Sequence, residues 1–343
     1  VEQIALAAKW MGEAQRPLVG SGTGPSMATH SNTADHMIEV VNVLAGGYRK
    51  AGDRIRNPGV LKVKDAFEMA ISPSRSFEKE PKCASQDVGQ LVGEFPTALI
   101  PGEIAADSPD RIRALICFGG DPLMAMGDPA VAKAGFDKLD LLVSLDCRLN
   151  ATGREADYVV ATTQPFERHE ISIPGDSSYP EPFVQFTAPV VARPGEVIDD
   201  WEFFWGVSAR MGVPLTFKYW NYGLRFEDIP GGLELSTTDK PDPEALCRFL
   251  AADSVVPFDE IKANPSGVRP DMPPRYVLPA PAEAPGRLEL CPSDVARELA
   301  GLAQERPEQG FAYRLTCRRI LHALNGAYRD SREVRRRFPV NYA

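Results

Sequence analysis

The sequence predicts an α/β fold built on a parallel sheet, and three observations carry the prediction. Two short apolar runs, ALICF at 114–118 and LLVSL at 141–145, are separated by DPAVAKAGFDKLD, whose apolar residues recur at helical spacing. A third run, YVVA at 158–161, follows a polar loop that has room for a short helix. The first two runs end in GGDP at 119–122 and DCRLNAT at 146–152. Strands that alternate with helical stretches form parallel sheets, because a parallel pair needs a long crossover. Ligands of such sheets bind beyond the carboxyl ends of the strands. The arrangement is therefore a Rossmann-like parallel sheet with flanking helices.

The remaining elements follow along the chain. VEQIALAAKWMGEA is an amphipathic helix with Ile4, Ala7, Ala8 and Met11 at helical spacing. Next, Pro17–Val19 reads as a short buried strand, with Gly20, Gly22 and Gly24 in the loop after it. TADHMIEVVNVLAGGYRKAGD is a second helix, capped by Asn32 or Thr33 and stopped by Gly46 and Gly47. Residues 53–100 are turn-rich and polar. In the sheet region, Asp128 starts the helix between the first two strands. Beyond the sheet, a stretch rich in proline and aromatics leads to a helix beginning at Asp199 or Asp200. Residues 221–310 hold many prolines and are expected to form an extended connector with few elements of its own. The last piece begins like a strand at AYRLTC, and its Arg335–Arg337 run is expected on a solvated helix face.

Composition bounds the function. A chain of 343 residues holds two or three folding units. Its 43% hydrophobic and 25% charged residues are ordinary for a globular protein. No apolar run reaches the roughly 18 residues of a membrane span. A formal net charge of −9 argues against a nucleic-acid partner, which needs a basic face. A phosphate-bearing ligand stays compatible, because backbone N–H groups hold phosphates without net positive charge. The six cysteines include no CxxC pair, so a local zinc or iron–sulfur cage is not expected, and no metal ligand is assigned. Cys117 and Cys147, at strand ends, are expected to be buried small hydrophobes. The opening residues have no basic leader before an apolar core, so they are not a signal peptide. A cytoplasmic setting is expected, with any export signal lying ahead of Val1.

Each motif has a plain reading beside its chemical one. GSGTGPS is glycine-rich but lacks the GxGxxG spacing, so it is a strand-to-loop turn or a backbone that approaches a ligand closely. In GGDP, Asp121 either accepts from a ribose or base, or caps a helix. Asp146, followed by Asn150 and Thr152, poses the same choice at the end of the second strand. PFERHE is not HExxH, and His169 beside two acids suggests a surface ion pair. Spacing alone makes His30 an ordinary loop histidine. Ser21 lies between glycines, but the GxSxG elbow is absent.

Taken in order, RPLVGSGTG…HSN, LAGGYRKAGD, IRALICFGGDPL, KLDLLVSLDCRLNATGREADYVVATTQPFERHE, DDWEFFWGVSARMG and AYRLTCRRILHALN resemble part of the large subunit of molybdopterin-dependent oxidoreductases. These are the dimethyl sulfoxide reductase, formate dehydrogenase and nitrate reductase superfamily. The resemblance covers most of the chain apart from roughly 60–95 and 221–310. It implies molybdopterin guanine dinucleotide, with molybdenum or tungsten, held between α/β domains. It implies that Gly119, Gly120, Asp121 and Pro122 line a guanine dinucleotide, and that Asp146, Asn150 and Thr152 hold its guanine or ribose. Gly20, Ser21 and Gly22, with His30 and Asn32, would face the pterin, and Arg318 or Arg319, with His322, would make the first contacts from a C-terminal domain. The implied domains are 1–57, ending one α/β domain, and 58–190, binding the dinucleotide. Residues 191–310 follow as helix and connector, and 311–343 start a truncated C-terminal β-barrel domain.

The resemblance also implies oxygen-atom or hydride transfer on a small-molecule substrate, and an electron-transfer partner subunit. The family's metal ligand and its iron–sulfur cysteines precede these segments, so neither is expected in this sequence. The arginine that formate dehydrogenases carry near the metal has two candidates here, Arg54 and Arg56, and stays open between them. Ala161 stands where the family usually has proline. Two further readings remain: a non-catalytic scaffold relative that has lost the cofactor, and an unrelated α/β nucleotide-binding module.

Overall fold

A computed structural model describes residues 2–63, 75–91, 93–173, 175–219, 229–279, 288–306, 310, 312 and 331–337. Helices α1 (Glu2–Glu13), α2 (Thr23–Ser26) and α3 (Ser31–Leu44) come first, then β1 (Arg54–Ile55) and α4 (Ile100–Ala105). The sheet region runs β2 (Ala114–Phe118), α5 (Pro122–Ala125), α6 (Pro129–Phe136), β3 (Leu141–Asp146), α7 (Ala151–Glu155) and β4 (Tyr158–Ala161). Short strands β5 (Glu170–Ile171) and β6 (Phe186–Thr187) precede α8 (Asp200–Met211), β7 (Thr216–Phe217) and β8 (Leu233–Glu234). Helices α9 (Pro243–Leu250) and α10 (Phe258–Ala263), strand β9 (Arg275–Tyr276), and helices α11 (Ser293–Leu302) and α12 (Arg332–Arg337) follow. The chain divides into two compact units, one of residues 52–278 and one of residues 1–51 with 279–343.

The expected parallel sheet is present, in the order β2-β3-β4. Its register pairs Ile116 with Val143 and Leu145 with Val160. Alternation along the strands turns Leu115, Cys117 and Leu142 toward one face. There they pack with Ile104, Leu123, Met126, Ala132 and Phe136, from α4 to α6. The Asp128 carboxylate caps α6, accepting from Ala130 N at 2.9 Å and Val131 N at 3.2 Å. Helix α8 starts at Asp200, as expected, and its Phe204 meets Phe118 edge-on, with ring centroids 5.7 Å apart.

A second core corrects the expectation of a bare connector over 221–310. Leu246 and Phe258 are buried, and Cys247, Ala251, Val256, Phe258 and Ile261 pack with Val60, Leu61, Ile171, Val184 and Phe186. Two prolines of this region stand at helix starts. Pro243 is the first residue of α9, behind an Asp242 cap, and Pro257 precedes α10. Proline at a helix start loses no intrahelical hydrogen bond and presets φ.

Three more expectations are corrected. Pro17–Val19 is not in a sheet. Instead the buried Asn42 amide takes the place of a partner strand: Val19 N donates to Asn42 Oδ1 at 2.8 Å, and Asn42 Nδ2 donates to Val19 O at 2.9 Å. Helix α3 is not capped by Asn32 or Thr33. It starts at Ser31 after His30, which adopts φ 59 and ψ 31 and makes no side-chain cap. Cys147 is exposed, not buried, because it lies beyond the last strand residue, in the polar loop.

Helix α1 forms as expected, yet buries none of its side chains. The Arg335–Arg337 run ends α12, where exposed Arg336 and Arg337 pair with Glu333 at 3.2 and 2.8 Å. The strand expected at AYRLTC, the barrel start, Arg318, Arg319 and His322 lie outside the described residues. Among the described residues, no helix is long and apolar enough to cross a membrane, and no group of three or more His, Cys, Asp or Glu could hold a metal ion.

Candidate cofactor-binding edge of the sheet

The carboxyl ends of β2 and β3 carry seven of the predicted site residues, and the fold brings these together. Gly119 continues the ladder through its N–H to Leu145 O (2.9 Å), then turns the chain at φ +62, a conformation that favours glycine. Open space surrounds the position a Cβ would take there. A ligand backbone or phosphate could approach this turn closely.

The side chains behind the turn are tied to one another. Asp121 Oδ1 accepts from Thr152 Oγ1 at 2.8 Å and Thr152 N at 3.0 Å, and its Oδ2 accepts from Ala151 N at 3.3 Å. Asp121 thus caps α7 from the neighbouring loop, while its own helix α5 receives no side-chain cap. Thr152 also accepts from Leu123 N at 3.2 Å and has no exposed surface. Asn150 caps α7 through Oδ1, which accepts from Gly153 N at 2.8 Å. Its Nδ2 donates to Gly120 O at 3.1 Å and Asp146 Oδ2 at 2.9 Å. Pro122 opens α5. These bonds join the loops after β2 and β3 into one rigid edge.

Asp146 differs from Asp121. It ends the central strand, is half-buried, and accepts from Arg148 N at 3.0 Å as well as from Asn150. An ionised carboxylate has about four acceptor sites. Arg148 N, Asn150 and the Cys147 thiol use up to three of them, and what is left suits a donor on a ligand. Asp146 also acts on its surroundings. Partial desolvation of its otherwise exposed side chain, then Asp146, pushes the Cys147 thiol up, and burial with the Asp199 and Asp146 charges raises Asp200, against the pull of Arg168. Asp200 and Arg168 therefore belong to the electrostatic surroundings of the edge. Sequence reading took Asp200 only as a helix start, and nothing in its local spacing pointed to Asp146.

The other predicted residues belong to the unit of residues 1–51 and 279–343. Gly20, Ser21 and Gly22 are exposed, and Ser21 Oγ donates to Asp35 Oδ1 at 3.4 Å. His30 lies between two carboxylates, with Nδ1 3.0 Å from Glu298 Oε1 and Nε2 3.1 Å from Glu305 Oε2. It is a clasp, not the unengaged loop histidine that spacing suggests. Hydrogen bonding to Glu298 leads the causes that raise its pKa. Asn32 is exposed on the first turn of α3.

PFERHE also differs from expectation. Its ion pair joins Arg168 and Glu170, at 2.6 Å, without His169. Glu167 accepts from Gln164 N at 2.9 Å in a capping box. The His169 ring instead packs near Phe186, with centroids 5.9 Å apart.

No family model matches the chain. It is 31% identical over 96 residues to the respiratory nitrate reductase subunit alpha of Haloferax mediterranei, covering 28% of this chain and 9% of that protein. It is 26% identical over 229 residues to the F420-dependent formate dehydrogenase subunit alpha of Methanocaldococcus jannaschii, covering 64% of this chain and 32% of that one. Among solved structures, acetylene hydratase from Pelobacter acetylenicus aligns with a TM-score of 0.48 and 18% identity, over 62% of this chain and 32% of that one. The chain thus spans a third or less of the two curated relatives. Over the stretches that align, the chain is similar to the alpha subunits of nitrate reductases and formate dehydrogenases, which supports the molybdopterin oxidoreductase superfamily.

Proposed function

We propose that this chain forms a wall of the cofactor cradle in a molybdopterin guanine dinucleotide-dependent oxidoreductase. The observation that carries the reading is Asp146: a half-buried carboxylate at the end of the central strand, held by Asn150 and with acceptor sites left over. Guanine and ribose present donors that such a carboxylate accepts.

The residues fit the group. The Gly119 turn leaves room for a pyrophosphate against backbone, which a chain of net charge −9 needs in place of a positive field. Asn150 orients Asp146. In this reading Asp121 and Thr152 act by fixing the two loops against each other. When bound, the cofactor would supply metal-centred oxygen-atom or hydride transfer, and the protein supplies position and electrostatics. The Gly20–Gly22 loop is assigned to the pterin only by resemblance. The electron-transfer partner is likewise proposed only by resemblance.

Calorimetric titration with GDP and ADP tests the edge. The reading expects GDP to bind more tightly and Asp146→Asn to weaken it by about tenfold or more, the scale of a hydrogen bond to a charged group. Equal affinity for both nucleotides, or an unchanged Asp146→Asn variant, would overturn the assignment.

A further inference from the structure

A cavity of about 600 Å³ lies in the unit of residues 52–278, between the β1–β9 ribbon and the turn at Pro180–Pro182. Arg54, Arg56, Arg269 and Arg275 line it, against two acids, Glu181 and Asp271. Glu181 is already engaged at 4.0 Å by Arg269. Arg54 and Arg56 are exposed and take part in no ion pair among the described residues.

The walls are rigid. Antiparallel pairing sets Ile55 opposite Arg275, and Ile55 is buried. Directly after Arg56, Asn57 Nδ2 donates to Asp176 O at 2.8 Å and Tyr179 O at 3.0 Å. That bond fixes the Arg56 segment to the Pro180–Pro182 turn. The buried Asp176 carboxylate then accepts from Val60 N and Leu61 N at 2.8 and 2.9 Å. Gly59 closes the loop at φ +92, where a Cβ would stand 2.5 Å from Lys62 O. On the third wall, a bridge between Val184 and Val268 anchors the segment that leads into Arg269.

We propose that this cavity is a binding site for a small organic polyanion, one that presents carboxylate or phosphate groups to Arg54 and Arg56. Guanidinium forks match the planar geometry of both oxyanions. The volume exceeds a bare ion and falls in the range of small-molecule sites. Six prolines and Met272 on the walls offer a preorganised surface to the organic body. The proposal does not depend on the sheet edge; because GDP also carries phosphate, it is R54Q/R56Q set beside Asp146→Asn that separates the two sites.

Titration of the whole chain with citrate and with inorganic pyrophosphate tests it. The expected result is saturable 1:1 binding of at least one probe, weakened at least tenfold in R54Q/R56Q and weakened by added salt. Citrate alone would identify a carboxylate ligand, and pyrophosphate alone a phosphate ligand. R54K/R56K keeps the charge and should bind more tightly than R54Q/R56Q. If the variants fail to fold, phenylglyoxal labelling of the unaltered chain replaces them, and the bound probe should protect Arg54 and Arg56. No saturable binding, binding unaffected by R54Q/R56Q, or labelling without protection would each overturn the proposal.

Discussion

Two polar loops were candidates for the same ligand, and the protein builds them differently. The edge after β2 and β3 is held from beneath by a packed core and from within by Asp121, Asn150 and Thr152, each bonded to the neighbouring loop or helix. The Gly20–His30 loop stands on helices with little buried surface. Helix α1 buries no residue, and α3 buries Thr33 and Asn42. What holds that loop is polar and long-range: the Asn42 amide on Val19, and His30 between Glu298 and Glu305. The first design gives a preorganised edge that does not rest on a histidine. The second gives a loop whose anchoring depends on protonation.

The largest expected difference lies in the apolar support. Leu145 is fully buried on the central strand, so Leu145→Ala should cost roughly 2–5 kcal/mol. Trp10→Ala, on α1 at 63% exposure, should stay within about 0.5 kcal/mol. Denaturant unfolding of both variants checks the contrast, and comparable losses would break it.

Next in size is the polar stitching. Thr152→Val keeps the shape but leaves Leu123 N without its acceptor and takes one donor from Asp121. It should cost about 1–3 kcal/mol. Hydrogen exchange should then show faster opening of the loops after β2 and β3, with the Gly20 loop unchanged. Opening confined to the Gly20 loop would contradict the assignment of Thr152 as the tie.

The pH response should divide the two regions most cleanly. His30 has its pKa raised from 6.5, first by the hydrogen bond to Glu298. The clasp is therefore fully present below 6.5 and is lost as pH rises through the folded-state value. Glu298 is held below its usual value, first by Thr33 and then by His30, so its share is lost only on acidification through that lowered value. Amide exchange around α3 and α11 should rise with alkalinity beyond the intrinsic trend. His30→Gln should abolish that excess, and the sheet edge should not show it. The same excess in His30→Gln would remove the clasp.

How much of this was legible in the sequence follows the range of each interaction. Asp128 before Pro129 announced a cap, and the alternation of 114–161 announced the sheet, because both are local patterns. The Asn150 cap and its tie to Asp146 also lie within one loop, and the acid-plus-polar motif pointed there. The role of Asp121 was half legible: the capping alternative was right, but the helix it caps lies across the sheet edge. His30 meets partners 268 and 275 positions away, which no local spacing reveals. The Asn42 amide that mimics a strand partner is 23 positions from Val19. Pro243 and Pro257 misled because a proline that breaks a helix and one that starts it look alike until the neighbouring cap is weighed.

The most direct test of the central claim is cofactor retention at Asp146. The longest natural protein that contains this chain, made in a host that produces the cofactor and purified without air, would be analysed for molybdenum or tungsten together with released guanine nucleotide. The account predicts that metal and guanine nucleotide accompany the unaltered chain and fall together in Asp146→Ala. Full retention in Asp146→Ala would contradict the assignment of the edge, and absence of both from the unaltered chain would favour a relative that keeps the fold without the cofactor.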